Sequence, residues 1–292
     1  MTLEAIMTGA ANPAIPDFGV LAPYLSRMKA FLQRCETRRC PRVLANSMPK
    51  AGTNLLLRLL SLLPDLRRGG HIDIGPDQGI TEWSTREQKQ FARFLSSIAP
   101  GVFSSGHCYY FEPLADLLDR RDIKCVTIVR DPRDVCVSDH HYIMTSAKHR
   151  LHKPYQRMAS DSDRLMASIV GMSSAQLNGD APSLDIGRHF EHFVGWRYYS
   201  NGIVVRFEDL IGGRGGGDDR VQRREIQRVC DYLGIAMARH EIDAVAEGLF
   251  SKDAKTFRRG CIGDWRDEFN DEHRAAFDRV AGDVLDTFGY QR

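Results

Sequence analysis

Lys50 and Gly52 stand in a short turn, Met48-Pro49-Lys50-Ala51-Gly52, between an apolar run, Val43-Leu44-Ala45, and a leucine-rich stretch that starts at Thr53. The order is strand, tight turn, helix. A helix N-terminus presents unpaired backbone N–H groups and the positive end of a dipole. Gly52 lets the backbone come close to an anion, and Lys50 adds a full positive charge. On physical grounds this is a phosphate-binding loop. Its spacing is not G-x-x-x-x-G-K-[ST]: the lysine precedes the glycine, and no Ser or Thr follows the lysine to hold Mg²⁺. A nucleotide is therefore not expected here as its magnesium triphosphate. A second anion-binding element follows the β-rich run Cys125-Val126-Thr127-Ile128-Val129. It reads Arg130-Asp131-Pro132-Arg133-Asp134-Val135-Cys136-Val137-Ser138. Pro132 suits the first turn of a helix with Asp131 as its N-cap, and Ser138 lies two turns on. A third basic element, residues 257–266, comes near the C-terminus.

Strands that position these residues are expected over 42–47, 102–105, 124–129 and 203–205. Helices are expected over 53–63, 84–98, 112–120, 220–233, 238–247 and 271–287. Residues 1–17 read as poorly ordered, and Tyr24 to Arg38 as a helix leading in. Glycines and Pro76 make 64–82 a loop, and 212–219 a glycine-rich hairpin or flexible loop. Residues 139–190 are the least regular part, rich in His and Met, and read as helices and loops over the site. Alternating strands and helices imply βαβ units and a central parallel sheet. Ligands of such sheets sit at the carboxyl ends of the strands. Lys50, His107 and Arg130 all lie just past strand ends, so one crevice can hold the three.

Together the three elements resemble the cytosolic-type sulfotransferases, which use 3′-phosphoadenosine-5′-phosphosulfate (PAPS) and release the desulfonated nucleotide (PAP). The family's P-K-S-G-T-T-W-L is Pro49-Lys50-Ala51-Gly52-Thr53-Asn54-Leu55-Leu56 here, its R-D-P-R-D-V-x-V-S matches residues 130–138 throughout, and its R-K-G-x-x-G-D-W-K matches 258–266 with Arg259 and Arg266 as basic swaps. The motifs keep the family's order, and the resemblance spans about residues 42–288. It implies an α/β, three-layer P-loop-like fold with a central parallel sheet flanked by helices. A single sulfotransferase domain would cover 41–292, after an N-terminal extension and lead-in helix over 1–40, with 139–195 as a lid over the acceptor site.

The resemblance also implies roles. Lys50 would contact the 5′-phosphate and its bridging oxygen, and Ala51, Gly52, Thr53 and Asn54 would hold that phosphate. Arg130 and Ser138, with Arg258, Arg259 and Gly260, would hold the 3′-phosphate. Leu55, Phe207 and Phe250 fall at adenine-contacting positions, although the family has tryptophan at the first and tyrosine at the second. Asp131, Asp134 and Asp264 are expected as caps or arginine partners, and Trp265 as packing. His107 is the expected general base, because a neutral imidazole takes a hydroxyl proton near physiological pH. It stands where the family shows K-T-H, but the lysine position is Ser105, and Lys148, His140 or His141 is the candidate replacement charge. The family's K-T-V dimer signature is not visible, and oligomeric state is not legible. Two rivals are a P-loop-like kinase or NTPase, and a non-catalytic PAP-binding protein of the same fold.

The chain of 292 residues carries 40 basic and 38 acidic side chains, a net charge of +2, which argues against nucleic acid or an anionic membrane as partner. The expected partner is a small-molecule acceptor. Seven irregularly spaced cysteines make no disulfide framework, and His140, His141, His149 and His152 fit no zinc pattern, so no metal is expected. There is no signal-peptide pattern and no apolar stretch of membrane-spanning length, so a cytoplasmic protein without a membrane span is expected.

Overall fold

The computed structural model describes residues 40–74, 85–250 and 260–291. The helix expected over 24–38 and the pair Arg258-Arg259 lie outside these residues. Five parallel strands form the sheet: β1 (Arg42–Ser47), β2 (Arg67–Ile74), β3 (Val102–Cys108), β4 (Ile123–Val129) and β5 (Gly202–Arg206). Their order is β2-β3-β1-β4-β5. The chain leaves β1 for β2 and β3 on one side, then crosses to β4 and β5 on the other. The winding reverses at β1, and such a reversal opens a crevice at the carboxyl ends of the central strands.

The helices in chain order are α1 (Thr53–Leu62), α2 (Thr85–Ser96), α3 (Glu112–Arg120), α4 (Pro132–Thr145), α5 (His152–Gln156), α6 (Asp161–Val170), α7 (Ile186–Tyr198), α8 (Phe207–Leu210), α9 (Asp219–Leu233), α10 (Arg239–Leu249), α11 (Trp265–Glu268) and α12 (Asp271–Phe288). They cover both faces of the sheet. Val43 and Ala45 of β1 pack with Leu56, Leu59 and Leu60 of α1, Ile226 and Val229 of α9, and Ile242 of α10. Leu44 belongs to the opposite core, with Leu114 and Leu118 of α3, Phe190, Phe193 and Trp196 of α7, and Phe277 and Leu285 of α12. A strand buried on both sides needs this continuous apolar character.

The segment read as a loop is half strand: β2 runs from Arg67 to Ile74 and pairs with β3. Gly69-Gly70 looks like a breaker in sequence. The register instead shifts between Arg68 and His71, and a Cβ on Gly69 would lie 2.6 Å from Ser104 Oγ. Glycine permits a close backbone approach at a bulge here, rather than ending the strand. Strand β3 also runs past residue 105 to Cys108, and so carries His107 within its last turn of pleat. At the end of the His- and Met-rich region, α7 buries Phe190, Phe193 and Trp196 in the main core. No helix among the described residues is long and apolar enough to cross a membrane.

Candidate active site

The turn after β1 is closed by the Ala51 N–H, which donates to the Met48 carbonyl at 3.2 Å. Lys50 has φ 65° and Gly52 φ 107°. A lysine in the left-handed region is uncommon and strained, as is frequent where a turn serves a site. Gly52 is required twice over, since a Cβ there would also lie 2.7 Å from the Phe207 ring. Gly52 is the N-cap of α1, and no side chain caps the helix. Its first turn therefore presents backbone N–H groups toward an anion. Lys50 Nζ lies 3.9 Å from the centroid of the Tyr142 ring. Burial lowers the Lys50 pKa, Asp139 opposes that shift, and the Arg130 charge adds to it.

His107 is held from β1. Its Nδ1 lies 2.7 Å from the Ser47 carbonyl oxygen and 3.2 Å from Ser47 Oγ, which in turn is 2.7 Å from Thr53 Oγ1. A carbonyl only accepts, so Nδ1 carries the hydrogen and the neutral ring has its lone pair on Nε2. That is the tautomer a general base needs at Nε2. Beneath it the buried Asn46 amide locks the strand ends: Nδ2 donates to the Cys108 carbonyl at 3.0 Å, and the Cys108 N–H donates to Oδ1 at 2.8 Å. Ser105, at the position expected to lack a charge, is buried with its Oγ 2.8 Å from Nδ1 of His71 on β2. The His71 and His107 rings lie 5.3 Å apart at 80°. Of the expected replacements, Lys148 is exposed, His140 is buried against His141 at 4.6 Å, and His141 Nε2 reaches Glu268 Oε1 at 3.1 Å.

Arg130 follows β4 and is buried. Its guanidinium donates to the Cys261 carbonyl at 2.7 Å and Asp134 at 3.4 Å, and lies 4.4 Å above the Phe207 ring. Nε is a buried donor without a hydrogen-bond partner among the described residues. An anionic oxygen satisfies such a donor, so the side chain fits a phosphate-binding role. Asp131 caps α4 through the Arg133 N–H and receives the Arg133 guanidinium at 2.7 Å. Arg133 in turn covers the Trp265 ring at 4.0 Å. Asp134 accepts from the N–H groups of Gly263, at 2.8 Å, and Trp265, at 3.1 Å. The two acids thus cap and clip. The half-buried Glu208 accepts from the Asp131 N–H at 2.9 Å and from the Tyr290 hydroxyl at 3.0 Å, and desolvation raises its pKa.

Lys50, His107 and Arg130 therefore meet at the carboxyl ends of the three central strands, β1, β3 and β4. Ser138 is half-buried on α4, and Gly260, with φ 62°, opens the last described segment. Leu55 and Phe207 are buried in the core on the α1 side, and Phe250 packs against it. Phe207 fills the space between Gly52 and Arg130. Sequence reading missed Asn46, His71, Tyr142 and Glu208. Only Glu208 carried a local signal, its place after a strand end. Among the described residues no group of three or more His, Cys, Asp or Glu is placed to hold a metal ion.

Fold and site together define an α/β group-transfer enzyme that grips anions at the carboxyl end of a parallel sheet. The chain belongs to the sulfotransferase family: the sulfotransferase domain model matches residues 41–289, and the reaction is sulfuryl transfer. Sulfotransferase 2A6 of Mus musculus is 24% identical over 268 residues, covering 81% of each chain. The 3-alpha-hydroxysteroid sulfotransferase of Cavia porcellus is 23% identical over 259 residues, covering 80% of this chain and 79% of its own. Among solved structures, mouse sulfotransferase SULT7A1 complexed with PAP superposes with a TM-score of 0.57 at 17% identity, over 89% of this chain and 88% of the other.

Proposed function

We propose that this enzyme moves the sulfuryl group of PAPS to a hydroxyl, less readily an amine, of a small-molecule acceptor and releases PAP. Such a transfer is an in-line displacement with charge growing on the leaving oxygen, so positioning and charge stabilisation supply most of the rate. Lys50, set in a strained turn beside the α1 N-terminus, faces that charge. The turn from Ala51 to Asn54 holds the 5′-phosphate. Arg130 and Ser138 take the 3′-phosphate, with Gly260 and the basic pair Arg258 and Arg259 beyond the described residues. Leu55, Phe207 and Phe250 line the base side, with Phe207 acting as a support for Gly52 and Arg130. His107 Nε2 takes the acceptor's hydroxyl proton as the oxygen–sulfur bond forms and the bond to the phosphate oxygen breaks. A relative solved with PAP and a relative named for a hydroxysteroid support the donor and the acceptor class. We place the enzyme in the cytoplasm, a reducing setting that suits the six cysteines among the described residues, none of which is in a disulfide.

One observation carries the reading. The Ser47 carbonyl fixes the His107 tautomer within the crevice that also holds Lys50 and Arg130. Transfer from radiolabelled PAPS to a panel of phenols and steroid alcohols tests it. His107→Ala is expected to lower kcat by about 10²–10⁴-fold while leaving PAP affinity intact. Near-normal kcat in that variant removes His107 as the base, and absence of PAP affinity in calorimetry removes the donor assignment.

A further inference from the structure

We propose that His71 is a positioning residue for the transfer, holding the His107 imidazole on the side opposite the Ser47 carbonyl. The catalytic meaning rests on His107 as base; the contact itself does not. The sheet order puts β3 between β1 and β2, so His107 lies between Ser47 and His71. The two contacts at Nδ1, to the carbonyl and Oγ of Ser47, fix one atom of the ring and not its plane. An edge-to-face contact with a second ring, at 5.3 Å and 80°, fixes the plane. His71 is exposed and needs an anchor of its own, which the buried Ser105 Oγ supplies at 2.8 Å from Nδ1. The bulge in β2 makes this possible. Arg68 pairs with Phe103 and His71 with Ser105, so three steps on β2 match two on β3. Without the extra residue, Gly70 would face Ser105 and no side chain would reach His107.

The experiment is a long-range proton–nitrogen spectrum of histidine-labelled full-length protein with PAP bound, at mildly alkaline pH. Wild type is expected to give one His107 tautomer, protonated on Nδ1. His71→Ala and Ser105→Ala are expected to give a mixture of both tautomers, and His71→Phe, which keeps a ring in place, a single one. With 2-naphthol, or whichever phenol of a panel the wild type sulfates, His71→Ala is expected to lower kcat roughly tenfold. The KM for PAPS stays unchanged, and His71→Phe restores most of kcat. An unchanged His107 spectrum in both His71→Ala and Ser105→Ala overturns the proposal. So does a loss of PAP affinity in both, which marks a merely structural role. Full activity in His107→Ala together with a disturbed tautomer in His71→Ala leaves the contact standing and sinks the base assignment instead.

Discussion

In the proposed reaction, Lys50 is the residue on which the transfer step should depend most steeply. Its ammonium sits over the Tyr142 ring, and burial holds its pKa below the ordinary 10.5. A depressed lysine pKa means the charge is lost at lower pH than for an exposed lysine. The alkaline limb of kcat should therefore begin below that value and move outward in Lys50→Arg, whose charge does not titrate there. Lys50→Ala should lower single-turnover kcat about 10²–10³-fold, the usual loss for a group facing developing charge. His140 makes a second residue-scale case. Desolvation, helped by the His141 and Arg164 charges and opposed by Glu268 and Asp161, takes its pKa from 6.5 to about 4. The unfolded chain binds a proton in that window and the folded one does not, so His140 subtracts stability as pH falls from about 6.5 to about 4. His140→Leu should flatten that part of the urea midpoint–pH curve, and a slope equal to wild type would refute this. Its buried Nδ1 has no hydrogen-bond partner among the described residues, so the leucine forfeits no bond there. Lys50, Arg130 and His107 were legible because each follows an apolar run in a recognisable motif. His71, Asn46 and Tyr142 were not, because each reaches the site through strand pairing or a helix face that no local pattern encodes.

At the scale of elements, the second and third motifs are one unit. Asp134 on α4 accepts from two backbone N–H groups of the segment 263–265 and from Arg130. Arg133 of the same helix, with Arg266 and Arg274, surrounds Trp265 at 4.0, 5.0 and 5.1 Å. Asp134→Ala leaves these donors without their acceptor inside the protein. A loss of about 3 kcal/mol in urea unfolding is expected, as for breaking a buried charged pair from one side. PAP affinity should fall with it, because the clip sets the segment that begins at Gly260. A variant with wild-type stability would show that α4 and the C-terminal segment are held independently. Burial raises the Asp134 pKa, and the Arg130 charge and the two backbone N–H groups oppose that shift by favouring the carboxylate. Four of the five strands were readable from short apolar runs bounded by turns. Strand β2 was not, since its Gly69-Gly70 matches a loop signal and its edge position relaxes the need for apolar residues on both faces. Helix α7 was hidden for a related reason: its His and Arg residues dilute the pattern of Phe190, Phe193 and Trp196.

Across the whole molecule, the sheet divides two cores, and the nucleotide-binding elements draw on both. The β1 turn leads into α1 on one face, α4 and Trp265 pack with α12 on the other, and the segment from Gly260 joins the two, its Ile262 packing on the α1 side. A ligand that touches all three binds only when both layers are assembled, so it should stabilise the protein globally rather than one lobe of it. For a single site that binds only the folded state, PAP at a hundred times its Kd adds about 2.7 kcal/mol to unfolding. Tryptophan fluorescence, to which the buried Trp196 and Trp265 of one core contribute, and far-ultraviolet circular dichroism, which reports on both faces, should then shift together along the urea axis. Arg130→Ala should abolish most of this gain, because it removes the guanidinium that joins β4, Phe207 and Cys261. His107→Ala should keep it, because the role proposed for His107 is toward the acceptor's proton and not the nucleotide. If PAP moved the fluorescence transition and left the dichroism transition in place, the two layers would unfold separately. The nucleotide would then be held by the α4 side alone, and the turn at Lys50 would have to be read as closing only when the sulfuryl group is present.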